Sequence, residues 1–244
     1  MRIVSTVEAR MGSTRLPGKT LAPIIGRPML DLLIERLSQS KQIGQIVVAT
    51  TTESEDDRIE KLCRDLQVGC FRGSSEDVLD RVLGAAREFG ASLIVEMTGD
   101  CPLLDPAVVD QVISLFLSGD YDYVSNILER TYPRGLDTQV FSTRVLAEVS
   151  EITQHPADRE NVSLYIYEHP ERYQLGNLVA PKEIRRPDLR LTVDTNEDLA
   201  LVREIYERLY PRKPDFSTRD VVELLNAQPE LVTINAHVRQ KLVR

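Results

Sequence analysis

Cationic excess is the first thing this sequence lacks. Against 38 Asp and Glu it sets only 30 Lys and Arg over 244 residues, a formal net charge of −8, which excludes a nucleic-acid binder held by a generally basic surface. Long apolar runs are missing too. The longest stretch without a charged side chain, residues 42–52, has 11 residues, whereas a membrane-spanning helix needs about 20 predominantly apolar ones; no membrane segment is expected. Nor does the N-terminus read as a secretory signal, because Glu8 and Arg10 follow closely on the short apolar run 3–7. A cytoplasmic location is the expectation. Cys63, Cys70 and Cys101 are odd in number and lack C-x-x-C spacing, so they read as reduced thiols, mostly in the core, and not as a disulfide framework or zinc site. Glycine and proline, 12 and 13 residues, are too few for a fibrous or disordered chain.

What is present is a rhythm. Short β-branched runs at 3–7, 46–49 and 93–95 alternate with segments whose apolar residues recur at helical spacing, such as Leu30, Leu33, Ile34 and Leu37, or Val78, Leu79, Val82, Leu83 and Ala86. That alternation predicts βαβ units and a mostly parallel sheet, an α/β protein. A further helix is expected around Val108, Val112, Ile113 and Phe116, and a strand at 121–125. Between 126 and 187 the rhythm breaks around Pro133, Pro156, Pro170, Pro181 and Pro187. This range is read as an inserted lobe of short strands with one helix near 160–168, within a single domain spanning 1–244. A strand at 189–193, a helix at 195–209 opened by Thr195 with Asp198 three residues on, and a helix at 218–226 complete the reading.

The most informative segment follows the first strand. Between Ala9 and Leu30 lie Arg10, Arg15, Lys19 and Arg27 and not one carboxylate, within a chain of net charge −8. Gly12 and Gly18 permit close backbone approaches, and successive N–H groups in such a loop form an anion-binding nest. Together these features suggest a triphosphate cradle. Gly12 to Thr20 nearly fits the P-loop pattern G-x-x-x-x-G-K-[ST], but five residues separate the glycines and Pro17 removes a donor, so a standard ATPase or GTPase loop is rejected. The dinucleotide fingerprint G-x-G-x-x-G is absent as well.

Two aspartates stand at expected strand ends, Asp100 in Thr98-Gly99-Asp100-Cys101-Pro102 and Asp194 in Thr192-Val193-Asp194-Thr195. Ligands of open α/β sheets bind at the carboxyl ends of strands, so both carboxylates are expected to converge with the basic loop around a hard cation, Mg²⁺. Asp120-Tyr121-Asp122 matches the D-x-D pattern of metal-dependent sugar transfer, but a turn is its simpler explanation.

In combination, the segments EARMGSTRLPGK, VVATT, FRGSSEDVLDR, TGDCPLLDP, DYVSN, RTYPRGLDTQVFS and LTVDTNEDL resemble the cytidylyltransferases of the spore-coat polysaccharide biosynthesis protein F type, related to acylneuraminate and 3-deoxy-manno-octulosonate cytidylyltransferases. The resemblance runs over about residues 1–210. It implies a Rossmann-like nucleotidyltransferase fold binding CTP and usually Mg²⁺, with a projecting lobe for acceptor binding and dimerisation, often in a homodimer. By position, it implies that Arg10, Gly12, Ser13, Arg15 and Lys19 hold the triphosphate, and that Arg72, Ser74, Ser75 and Asp77 lie near cytosine and ribose. Asp100 and Asp194 carry the metal in this reading, and Arg134, Gly135 and Asp137, with Arg159 and Glu160, face the acceptor sugar. Arg10, Lys19 and Asp100 are the expected catalytic residues. The chain departs from the family pattern at Glu8, where many members have Gln, and at Arg159-Glu160-Asn161, where many have His.

The reaction these residues imply is attack of a sugar-acid or sugar-phosphate oxygen on the α-phosphorus of CTP, with release of pyrophosphate, in polysaccharide or glycoconjugate biosynthesis. Positioning and charge stabilisation are its means, and no side-chain nucleophile is required. Two alternatives stand beside it: a nucleotide-sugar-dependent glycosyltransferase, favoured only by the D-x-D triplet, and a non-catalytic nucleotide-binding subunit.

Overall fold

The computed structural model describes residues 1–241. In chain order its elements are β1 (Ile3–Glu8), β2 (Pro23–Ile24), β3 (Arg27–Pro28), α1 (Met29–Leu37), β4 (Gln45–Thr51), α2 (Asp57–Asp65), β5 (Gly69–Gly73), α3 (Val78–Glu88), β6 (Leu93–Thr98) and α4 (Pro106–Leu117). These are followed by β7 (Tyr123–Ser125), β8 (Gln139–Ser142), α5 (Thr143–Ile152), α6 (Pro156–Glu160), α7 (Leu164–Glu168), β9 (Leu175–Asn177), α8 (Asn196–Leu209) and α9 (Thr218–Ala227). Seven strands form one sheet in the order β5-β4-β1-β6-β8-β7-β9, and β2 and β3 pair as a separate hairpin. The large sheet is parallel except at β8, which runs antiparallel to both β6 and β7.

Helices cover both faces, which is why the central strands are rich in apolar residues on both sides, with Ser5, Thr6 and Glu96 as buried exceptions. Val7, Val48 and Val95 pack against α1, α2 and α4 through Leu33, Ile59 and Val112. On the opposite face Val4, Val47 and Ile94 pack against α3 and α5 through Val82 and Val149. A third cluster gathers Tyr132 and Leu191 under α8 and α9, with Tyr206, Phe216 and Val222. Arg36, on α1, is drawn into this region fully buried: it donates to the carbonyls of Leu104 at 2.7 Å and Phe216 at 2.8 Å and lies 4.1 Å over the Phe216 ring. One side chain thus ties the first helix to the C-terminal part of the chain.

The range 126–187 departs from its irregular reading. Residues 139–142 form β8, which pairs with β6 inside the main sheet, and 143–152 form α5, capped by the Ser142 hydroxyl and packed on α3. The sheet absorbs these elements because Val140 and Phe141 place apolar side chains on both of its faces. The strand expected at 189–193 is not one; only an isolated bridge between Arg134 and Arg190 marks it. The helix after it begins as expected, with a capping box in which the Thr195 hydroxyl and Asp198 carboxylate satisfy each other's backbone N–H groups.

After β1 the chain moves outward through β4 and β5, then returns to lay β6 on the other side of β1. Their carboxyl ends form the switch point where α/β sheets open a crevice. The basic loop leaves β1 there, and Asp100 follows β6 there.

Candidate active site

Local backbone geometry shapes the basic loop. Gly18 adopts the left-handed φ of 74°, and its N–H donates to the Met11 carbonyl at 3.0 Å, folding 11–18 into a compact turn that ends in a short 3₁₀ segment, Lys19–Leu21. The Thr20 hydroxyl donates to the Arg10 carbonyl at 2.8 Å and closes the loop's base. From this frame Lys19 reaches across the crevice. Its ammonium donates to Asp100 Oδ2 at 2.9 Å, to Asp194 Oδ1 at 2.9 Å and to the Val193 carbonyl at 2.7 Å. Burial alone would lower the Lys19 pKa, but Asp100 and Asp194 outweigh it and hold the ammonium above its ordinary range.

Asp194 is the most heavily paired carboxylate here. Arg15 meets it at 2.8 Å, and Arg190 meets it at 2.7 Å while also holding Asp198 at 2.9 Å. Burial pushes the Asp194 carboxyl up, but Lys19, Arg15 and Arg190 together pull it below the usual carboxylate range. The loop cations therefore converge with Asp100, which follows β6, and with Asp194, which precedes α8 without ending a strand.

Around this node open two cavities. One, of about 350 Å³, is lined by Arg10, Ser13, Arg15, Lys19, Asp100, Glu160 and Asp194, with Glu8, Thr14, Val78 and Arg81. The other, of about 610 Å³, shares Arg15, Asp100, Asn161 and Asp194 with the first and adds Ile127, Leu128, Arg130, Arg134, Asp137 and Tyr167. Arg130 and Asp137 pair through two hydrogen bonds, 2.8 and 3.0 Å. Arg134 has no ion pair among the described residues, and burial together with neighbouring Arg130 holds its guanidinium below the usual range.

Other residues singled out in the sequence stand elsewhere. Arg72 does not reach the cavity lining; it pairs with Asp57 at 2.6 Å and Glu60 at 2.8 Å and donates to the Thr51 and Glu53 carbonyls, pinning β5 to α2. Ser74 uses its hydroxyl to accept from the N–H groups of Glu76 and Asp77, and Ser75 offers its carbonyl to Arg10 at 3.2 Å. Asp77 caps α3 and pairs with Arg159, so two residues expected in different subsites hold α3 against α6 instead. From α3 it is Val78 and Arg81 that face the cavity. Gly12 lies against Glu55, outside the lining. Gly135 has φ +98°, and a Cβ there would stand 2.5 Å from the Thr192 nitrogen; it serves a close backbone approach that brings the segment before Asp194 against the TYPRGLD loop. Asp122 lies at the amino end of β7, where it accepts from the Gln174 N–H at 3.1 Å, at the edge of the sheet opposite the crevice.

Glu8 lines the first cavity without pairing to Arg10. Instead it faces Glu96 on the same side of the sheet, since Thr6 aligns with Glu96 and Glu8 with Thr98. Burial, then the charge of Glu96, raises the Glu8 carboxyl well above the usual range against the pull of Arg81. Burial likewise pushes Glu96 up to about 7, with hydrogen bonds from Ser163 and Glu8 opposing it. Glu8 Oε1 and Glu96 Oε2 are buried with no hydrogen-bond partner among the described residues. A neutral Glu8 removes the repulsion that a carboxylate beside a polyphosphate would cause.

Sequence reasoning missed Arg81, Arg130 and Thr14, while Asn161, noted there only as a departure from the family pattern, lines both cavities. Arg130 stands beside the TYPRGLD piece and was legible as a cation; its pairing with Asp137 was not. Among the described residues no group of three or more His, Cys, Asp and Glu is arranged to hold a metal ion, so a metal at Asp100 and Asp194 would take its remaining ligands from a bound molecule. Two carboxylates already meeting around one positive charge fit that requirement, because Mg²⁺ keeps water and phosphate oxygens beside one or two carboxylates.

A family model described as "Cytidylyltransferase" matches residues 4–227. The spore coat polysaccharide biosynthesis protein SpsF of Bacillus subtilis is 37% identical over 95% of this chain and 97% of its own. The 8-amino-3,8-dideoxy-manno-octulosonate cytidylyltransferase of Shewanella baltica is 32% identical over 87% of this chain and 88% of its own. Among solved structures, a cytidylyltransferase from Leptospira borgpetersenii superposes with a TM-score of 0.90 at 33% identity, covering 99% of both chains.

Proposed function

The chain belongs to the cytidylyltransferase family, and from that premise we propose that it transfers the cytidylyl group of CTP to a sugar acid or sugar phosphate, releasing pyrophosphate, in polysaccharide or glycoconjugate biosynthesis. The observation that carries this reading is the node at the switch point, where Lys19 joins the carboxylates of Asp100 and Asp194 under a loop with no acidic residue.

In this reading the first cavity takes the nucleotide. Arg10, Arg15 and Lys19 offset the triphosphate charge, with Ser13 and the loop N–H groups beside them. Asp100 and Asp194 hold the metal, which when bound neutralises charge developing on the phosphates. The second cavity takes the acceptor, and the unpaired guanidinium of Arg134 fits an acceptor carrying a carboxylate or phosphate. The acceptor oxygen forms a bond to the α-phosphorus, the bond to pyrophosphate breaks with its electron pair, and a hydroxyl acceptor passes its proton to the departing pyrophosphate or to water. Because the two cavities meet at Arg15, Asp100 and Asp194, the reacting groups are brought together there, and proximity supplies much of the rate.

Pyrophosphate release with CTP, Mg²⁺ and a panel of sugar acids tests the reading. Lys19→Ala and Asp100→Ala are each expected to lower the rate about 100-fold or more, the range for losing one group that stabilises charge in the transition state. Wild-type rates in both variants would overturn the assignment, and a nucleoside phosphate as the released product would point to sugar transfer instead. The D-x-D triplet gives that alternative no support, since Asp122 stands at the wrong end of the sheet. The homodimer implied by the family resemblance is part of the same proposal, and light scattering would then report about twice 27.6 kDa. No helix among the described residues is long and apolar enough to cross a membrane, and a cytoplasmic site of action goes with the proposed soluble substrates.

A further inference from the structure

The family model ends at residue 227, yet the chain returns to the crevice after that point. Following α9, a 3₁₀ segment at Pro229–Ile234 packs on α8. Asn235 then anchors the tail: its buried side-chain amide donates to the Arg190 carbonyl at 3.0 Å and to Asp198 Oδ1 at 2.9 Å. Val238 N–H closes a turn onto the Asn235 carbonyl at 2.9 Å. Beyond the turn, Arg190 donates to Gln240 Oε1 through the same guanidinium that holds Asp194 and Asp198. Gln240 consequently lines both cavities, and Lys241 lines the first one beside Arg10, Arg15 and Lys19. Lys241 has no ion pair among the described residues.

Resting on the nucleotide reading of the first cavity, we propose that the C-terminal tail is part of the nucleotide site, with Lys241 a further phosphate-binding residue and Gln240 the positioning residue that Arg190 latches in place. Three features meet in support. The tail is anchored by a buried amide rather than merely lying near the opening. Its latch is the arginine that also holds Asp194, so tail and carboxylate node share one guanidinium. The side chain delivered is a cation without a carboxylate partner, placed in a cavity that already gathers four others, Arg10, Arg15, Lys19 and Arg81. A polyphosphate carries more negative charge than the loop cations alone balance once Lys19 and Arg15 are shared with Asp194, and an added ammonium reduces that imbalance.

Isothermal titration of the full chain with CTP, inorganic tripolyphosphate and cytidine, in Mg²⁺ buffer, tests this. Lys241→Ala is expected to weaken CTP and tripolyphosphate about fivefold, the scale of one exposed charge-assisted contact, and to leave cytidine unchanged. Lys241→Arg should restore tripolyphosphate binding, and Gln240→Ala should weaken it in the wild-type background but add nothing to Lys241→Ala. Thermal melting of each variant separates these effects from misfolding. A change under twofold in Lys241→Ala, or equal weakening of cytidine, overturns the proposal. If wild-type protein binds ATP, GTP or UTP as well as CTP, it is the cytidylyl reading that fails, while the tripolyphosphate arm still tests Lys241.

Discussion

Lys19, Asp100 and Asp194 were legible as a set because each stands at a position whose backbone role is visible in sequence: a loop after the first strand, the end of a buried strand, and the residue before a helix cap. Arg72, Asp77 and Arg159 were not, because a sequence displays charges but not their partners. Arg72 is neutralised by Asp57 and Glu60, and Asp77 and Arg159 neutralise each other. Glu8 is a similar case, since its state depends on Glu96, which faces it from the neighbouring strand. The Glu96 carboxyl, pushed up to about 7 by burial, makes a prediction with a definite sign. As pH rises from about 4.5 to about 7, the unfolded chain surrenders this proton and the folded chain keeps it, so the native state loses ground across that window. Glu96→Gln is expected to melt progressively higher than wild type between pH 5 and 8, measured by calorimetry. A difference independent of pH would show that Glu96 is ionised in the fold.

At the scale of elements, the helices with strong apolar periodicity and caps were readable, whereas inside the proline-marked range only the helix near 160–168 was, present as α7, and α5 and α6 were not. β8 has only four residues, too few for a periodicity to show, and it gains its place by pairing with β6 and β7 on both sides. The stretch 189–193 shows the reverse. Its apolar alternation predicts a strand, but Leu189, Leu191 and Val193 are buried against α8 and α9 instead of a neighbouring strand. The two capping boxes, Thr195 with Asp198 and Ser217 with Asp220, look alike in sequence and differ in setting. Asp198 is fully buried and also receives Arg190 and Asn235, whereas Asp220 pairs with the half-exposed Lys213. Asp198→Ala is therefore expected to cost about 3 kcal/mol, because it takes one of two carboxylates from the buried Arg190 and an acceptor from the buried Asn235 amide, and Asp220→Ala about 1 kcal/mol, the ordinary value of a cap. Denaturant midpoints compare them directly, and equal losses would contradict the difference in setting.

For the whole molecule, the net charge of −8 conceals a local reversal that one small anion can use. Ligand linkage makes this measurable. CTP with Mg²⁺, at about 100 times its dissociation constant, is expected to stabilise the fold by about 2.7 kcal/mol, and chelating the metal should remove most of that gain. A screen in which CTP raises the melting temperature no more than ATP, GTP and UTP would remove cytosine from the assignment. The close approach at Gly135 carries a consequence for divergence within such a fold. With the Thr192 nitrogen 2.5 Å from where a Cβ would stand, bulk cannot be added at 135 without displacing the chain that carries Asp194. With the second cavity taking the acceptor as proposed, changes in acceptor preference would fall away from the glycine and on Ile127 and Leu128, which border that cavity and can change size while the reaction centre keeps its dimensions.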